Sequence, residues 1–182
     1  MGTANWIVPL GTSYVEIVGV VEPEVAAGNP FGRRTSEAIA AGGGVYAWCV
    51  VPRDFDTTVA RLGLVAAPGS RRRHDGVMIA WRTAGLDVAM ADPSRPFFLT
   101  WEMPLELHPG RGSADHRVQP RDIAWVEVAG DEGTVRDWLG DEPVTVSVRP
   151  GPPALRAVGI ATAEGEIVIR KGIGAPGASG AD

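Results

Sequence analysis

Residues 47–63 and 124–140 carry one short pattern twice, AWCVVPRDFDTTVARLG and AWVEVAGDEGTVRDWLG, at a constant offset of 77. Seven of the 17 positions are identical, and the match runs without a gap through an apolar strand, an aspartate, a helical stretch and a closing glycine. Such a repeat constrains the fold before any single element is assigned, because each copy is a unit that must bury its apolar face against a neighbour. The chain of 182 residues is long enough for one full core or for two half-domains that share one.

The rest of the chain divides around these copies. Residues 4–10 and 14–21 are β-branched runs joined at Gly11-Thr12-Ser13, the pattern of a hairpin. Alternation along the second run places Tyr14, Glu16 and Val18 on one face. Residues 31–41 read as a helix that stops at Gly42-Gly43-Gly44, glycines that end a helix rather than cradle a phosphate. In the first copy, strand 45–51 leads to Asp54 as N-cap of a helix over 55–62, which Gly63 terminates. Further strands are expected at 76–84 and 96–102. The second copy repeats the scheme with strand 122–128, Asp131 as cap, a helix ending at Leu139-Gly140, and strands near 143–149, 155–162 and 166–170. Each copy therefore reads strand–helix–strand–strand–strand. The fold class is α+β: repeated βαβββ modules forming curved mixed sheets with helices on the outer face. Within the copied strands, the smaller set (Ala47, Cys49, Val51; Ala124, Val126, Val128) suits packing under a helix. Trp48, Trp125 and Glu127 would then point into the concavity of a cup.

Composition excludes several functions. A net charge of −5, with one dense basic run at Arg71-Arg72-Arg73, provides no stripe for nucleic acid, and that run reads as a solvated loop. No segment approaches the ~18 consecutive apolar residues of a membrane span, and no secretory leader is visible. The single cysteine, Cys49, cannot form an intrachain disulfide, which fits a reducing cytoplasm. Arginine supplies all but one of the basic residues, Lys171 being the exception, a bias expected of a GC-rich bacterial genome. The closing residues 172–182 have too little apolar surface to order and are expected to be a disordered tail.

The stretches GTANWIVPLG (2–11), YVEIVG (14–19), PFGRR (30–34), GSRRRHDGVMIAWR (69–82), PFFLTWE (96–102) and HPG (108–110) resemble the glyoxalase-like domain of the vicinal oxygen chelate superfamily. The resemblance covers about the first 110 residues. It implies three units: a partial first module at 1–44 (hairpin plus helix), a second module at 45–110 and a third at 111–171. By the same resemblance the chain starts inside its first module, lacking that module's opening strand, helix and second strand. The superfamily's metal site draws His, Glu or Gln from the first and last strands of two modules. Glu16 is the residue that maps onto a ligand position, with Glu102 two residues beyond Thr100, where relatives often carry a glutamate.

A divalent metal needs three or four converging O or N ligands. The candidates are Glu16, Glu102 and Glu127, with His74, His108 and His116 in loops, and none has short metal-binding spacing, so the ligand set does not support a metal. Ser70, His74 and Asp75, or Asp115 and His116, lie too close in sequence for a hydrolase triad, and no nucleophile elbow is present. The aromatics carry more weight. Trp48, Trp81, Trp101 and Trp125 all fall on strands, where indoles can wall a site for a flat small molecule and offer an N–H, and Arg82 could meet an anionic group. The expected function is binding of a small organic ligand in an aromatic-lined cup, with no partner in nucleic acid or membrane. The alternatives are a metal-dependent lyase, isomerase or dioxygenase whose missing ligands lie on an absent N-terminal segment, and a structural homodimer pairing at an open sheet edge.

Overall fold

The computed structural model describes residues 1–73 and 75–170, so the expected tail at 172–182 and the candidate His74 lie outside the described residues. The chain opens with the expected hairpin, β1 (Thr3–Pro9) against β2 (Tyr14–Val20), a separate two-stranded sheet. A short helix α1 (Pro23–Ala27) follows, then α2 (Pro30–Ala40), capped by the Asn29 side chain accepting from Gly32 N at 2.9 Å. The middle sheet contains β3 (Cys49–Val50), α3 (Phe55–Leu62), β4 (Ala67–Arg72), β5 (Met78–Ala84), α4 (Leu86–Ala91) and β6 (Phe97–Trp101), in the strand order β3-β6-β5-β4. The last sheet contains β7 (Pro120–Ala129), α5 (Glu132–Leu139), β8 (Val146–Arg149), β9 (Ala154–Thr162) and β10 (Gly165–Arg170), in the order β10-β9-β7-β8. The fold is α+β with curved mixed sheets.

The helical halves of the two copies share an aspartate N-cap and a glycine stop. Asp54 Oδ1 accepts from Thr57 N at 2.9 Å, and Asp131 Oδ1 accepts from Thr134 N at 2.8 Å. Gly63 and Gly140 both follow the helix at φ of 62°, a conformation that costs a side-chain-bearing residue energy. Arg61 on α3 donates to the carbonyl oxygens of Asp137 (2.6 Å) and Trp138 (2.9 Å) on α5, and Trp138 is its own counterpart at the offset of 77. These contacts close the two helix C-termini against each other.

Both caps hold their aspartates below the ordinary carboxylate range, chiefly through the backbone N–H of the threonine. A carboxylate whose folded pKa is depressed stabilises the fold above its unfolded pKa, about 3.9, and loses that contribution as pH falls through the folded value. Asp131→Ala is therefore expected to lower Tm at about pH 7 and to flatten the acid limb of the Tm–pH curve, while Asp131→Asn keeps the cap. Thermal melts across the acid range check both outcomes.

The strands depart from the offset. Parallel pairing of Val50 with Phe98 turns Val50 and Trp48 toward the helix-side core, where Trp48 is 8% exposed, and leaves Cys49 on the opposite, open face. In the second copy Val126 and Val128 face the core, as the sequence suggests, and Trp125 does not. The expected phase is thus reversed in the first copy: Cys49 is not helix-side packing, and Trp48 does not reach the concavity. The copies match without a gap, so Val50 corresponds to Glu127 and Val51 to Val128; opposite members of the alternation face the core in the two copies. The strands beyond also differ in arrangement. β3 lies beside the last strand of its sheet, whereas β7 sits between β8 and β9. The basic run is another correction: Arg71 and Arg72 end β4, an edge strand whose position tolerates Pro68.

Both sheets contribute to one core. Trp48, Val50, Phe55, Ala84 and Phe98 pack with Val126, Val128, Val135, Trp138, Leu139 and Leu155. The Trp138 ring lies 5.9 Å from that of Phe98, and its Nε1 donates to Pro96 O at 2.8 Å. That core covers one face of the middle sheet, and the hairpin stands over the other.

Candidate functional site

Aromatic rings from the hairpin, the middle sheet and the segment after β6 pack together over the open face of that sheet. Cross-strand register pairs Trp81 with Trp101, and their rings meet edge to face at 5.7 Å. Tyr14 reaches over from β2 to within 6.5 Å of the Trp101 ring. His108, from the segment after β6, closes the cluster at 5.8 Å from Trp101 and 5.9 Å from Tyr14. Edge-to-face contacts of this kind hold rings in fixed orientations. The Trp101 Nε1–H is buried and has no partner among the described residues, an arrangement that costs free energy until an acceptor arrives.

A polar row lies beside the rings. Arg71 of β4 donates to the Asn5 carbonyl oxygen, and the Asn5 amide nitrogen donates to Glu16, so guanidinium, amide and carboxylate form a relay between sheet and hairpin. Glu16 and the Cys49 thiol are both open to solvent, yet desolvation raises the pKa of each; they lie where protein surrounds a group that water still reaches. Arg71 partly offsets the shift at Glu16, and Glu16 adds to the shift at Cys49. Burial likewise drives the Tyr14 phenol upward, with the charges of Cys49 and Glu16 contributing. The same physics lowers the pKa of His108, first by desolvation and then by Arg111. Its Nδ1 accepts from Gly110 N at 3.1 Å, which leaves the proton of the neutral ring on Nε2. The cluster therefore sets flat apolar rings and a buried indole N–H beside a hairpin that carries a solvent-accessible carboxylate.

Trp81 and Trp125 each lie over a cross-strand glycine. A Cβ at Gly69 would fall 2.4 Å from Trp81 Nε1, and one at Gly159 would fall 2.3 Å from Trp125 Nε1. Only glycine leaves room for an indole flat on the neighbouring strand.

Of the residues singled out from sequence, Trp81 and Trp101 pack against each other, and Glu16 lies on the strand that brings Tyr14 to Trp101. Trp48 is in the core. Trp125 belongs to the other sheet, where its Nε1 donates to Glu166 at 2.6 Å. Arg82 projects from the helix-covered face, paired with Asp56 at 2.7 Å and lying 4.9 Å over the Phe55 ring. Glu102 sits on that face as well, 2.9 Å from Arg82 Nε, whose N–H is not aimed at it, so the contact is ionic rather than a hydrogen bond. Glu16 and Glu102 thus lie on opposite sides of one sheet and cannot share an ion, and Glu127 is held by Arg149 at 3.5 Å. No group of three or more metal-type donors converges among the described residues. Asn5, Gly69, Arg71 and the position of His108 escaped the sequence reading. Hairpin register could have revealed Asn5, since it shares the face of Glu16.

Cavities of about 400 and 300 Å³ lie elsewhere, and neither is lined by an indole. Among the described residues no helix is long and apolar enough to cross a membrane.

No curated protein and no solved structure matches the chain. A family model does, and it extends past the resembling first 110 residues through β7 and α5. Matched over residues 1–141, more than half its length, the chain belongs to the glyoxalase-like domain family.

Proposed function

We propose that this protein binds a small planar organic molecule in the recess between the hairpin and the middle sheet, through its own side chains rather than a metal. The observation that carries this is the buried Nε1–H of Trp101, without a partner among the described residues and set among fixed rings, with the solvent-accessible Glu16 on the same hairpin strand as Tyr14. A ligand lying against Trp81 and Trp101 would bury apolar area, accept from the indole and donate to Glu16 or Asn5. Family membership makes a ligand-binding role natural without naming the ligand, because sites rather than folds carry function. A cytoplasmic location belongs to the same proposal.

Titration of tryptophan fluorescence with benzamide and nicotinamide, set against the saturated cyclohexanecarboxamide, tests it. The planar amides are expected to quench saturably and the saturated one much less. Trp101→Phe, which keeps a ring and removes the donor, should weaken binding roughly tenfold, the scale of one hydrogen bond to a buried group. Unchanged affinity in that variant, or no saturable quenching by any planar probe, would refute the proposal. Stoichiometric metal in protein purified from its native host would favour the metal-dependent reading instead.

A further inference from the structure

The cavity of about 400 Å³ shares no residue with the recess. It opens between the hairpin turn and the linker ahead of β7, with Pro9 and Gly11 on one side and Arg111, Asp115, His116 and Gln119 on the other. Its walls are braced. Gly11 N donates to Gly110 O at 2.8 Å, and the backbones approach so closely that a Cβ at Gly110 would lie 2.4 Å from Ser13 O. His116 Nε2 donates to Pro9 O at 2.9 Å, which ties the linker to the hairpin and leaves Nδ1 for a ligand.

The charges of this cavity are unmatched. Arg111 and Asp115 both line it, and neither forms an ion pair with any carboxylate or cation among the described residues. They do not pair with each other, so their charged groups lie more than 4.0 Å apart. A simple anion drawn to Arg111 would be opposed by Asp115, and a simple cation would be opposed by Arg111. A molecule carrying both charges a short distance apart satisfies both groups. We propose that this cleft binds a small zwitterion of the α-amino-acid type, its carboxylate on Arg111 and its ammonium on Asp115. The side chain would lie along Pro9, with Gln119 and His116 Nδ1 available to polar substituents. This assignment does not depend on the aromatic recess.

The test is a backbone-amide NMR titration of the whole chain with free serine and leucine, compared with N-acetylserine and serinamide. Saturable shifts are expected at Gly11, Gly110 and Gly112, with each blocked probe roughly tenfold weaker, the scale of one lost charge-assisted hydrogen bond. Arg111→Gln and Asp115→Asn change exposed side chains and should retain the wild-type Tm while weakening both free amino acids by a similar factor. The idea is overturned if those three glycines show no saturable shift, if a blocked probe binds as well as its parent, or if both variants bind as the wild type does. Trp101→Phe should leave this titration unchanged, which separates it from the recess.

Discussion

Phe98→Ala is expected to lower the free energy of unfolding by about 3–5 kcal/mol, a large fraction of what a domain of this size possesses. Phe98 is fully buried, pairs in register with Val50 and faces the Trp138 ring at 5.9 Å. It therefore contacts the middle sheet through its strand and the last sheet through α5. Truncation leaves a cavity between two rigid layers, and neither can collapse without disturbing the Trp138 bond to Pro96. Chemical denaturation followed by far-UV circular dichroism and by tryptophan fluorescence should show both transitions moving together, since one core serves both sheets. Separated transitions would mean that the two sheets are independently stable.

Gly69→Ala should combine a loss of about 1–3 kcal/mol, the usual cost of overpacking, with loss of ligand binding in the recess. The new methyl would stand 2.4 Å from Trp81 Nε1 and 2.5 Å from Cε2. A rigid indole cannot bend away at its tip, so the whole ring must rotate and surrender its edge-to-face contact with Trp101. Gly159→Ala is the matched control. It sets the same clash against Trp125 in the other sheet, at 2.3 Å, and should cost comparable stability while benzamide quenching persists. If Gly69→Ala keeps wild-type affinity for benzamide, Trp81 is not a wall of the site.

The comparison of the two copies shows where sequence pattern loses its hold. Cap chemistry is local: an aspartate three residues ahead of a threonine N–H, and a glycine able to take positive φ, act within one turn. Helix positions were accordingly legible at the offset of 77. Strand facing depends on partners far away in sequence. Cys49 and Trp48 exchanged faces because Val50 pairs with Phe98, a residue 48 positions on. β4 escaped notice because APGSRR has neither alternation nor β-branched residues, and its role is to place Gly69 beneath an indole and Arg71 beside Asn5. Arg82 and Glu102 looked available as isolated residues, and α3 takes Arg82 through Asp56.

Sequence alone determined the α+β class, the hairpin, the copied strand–helix unit with its capping aspartates and terminal glycines, and the family resemblance. Those features rest on short-range patterning, which every local window of the chain carries in full. Tertiary structure alone decided which side of each strand meets water, which tryptophans meet each other, and that Glu16 and Glu102 stand on opposite faces. The physical reason is that a β-strand has two equivalent sides, and only pairing with a distant strand and cover by a distant helix make one of them the core.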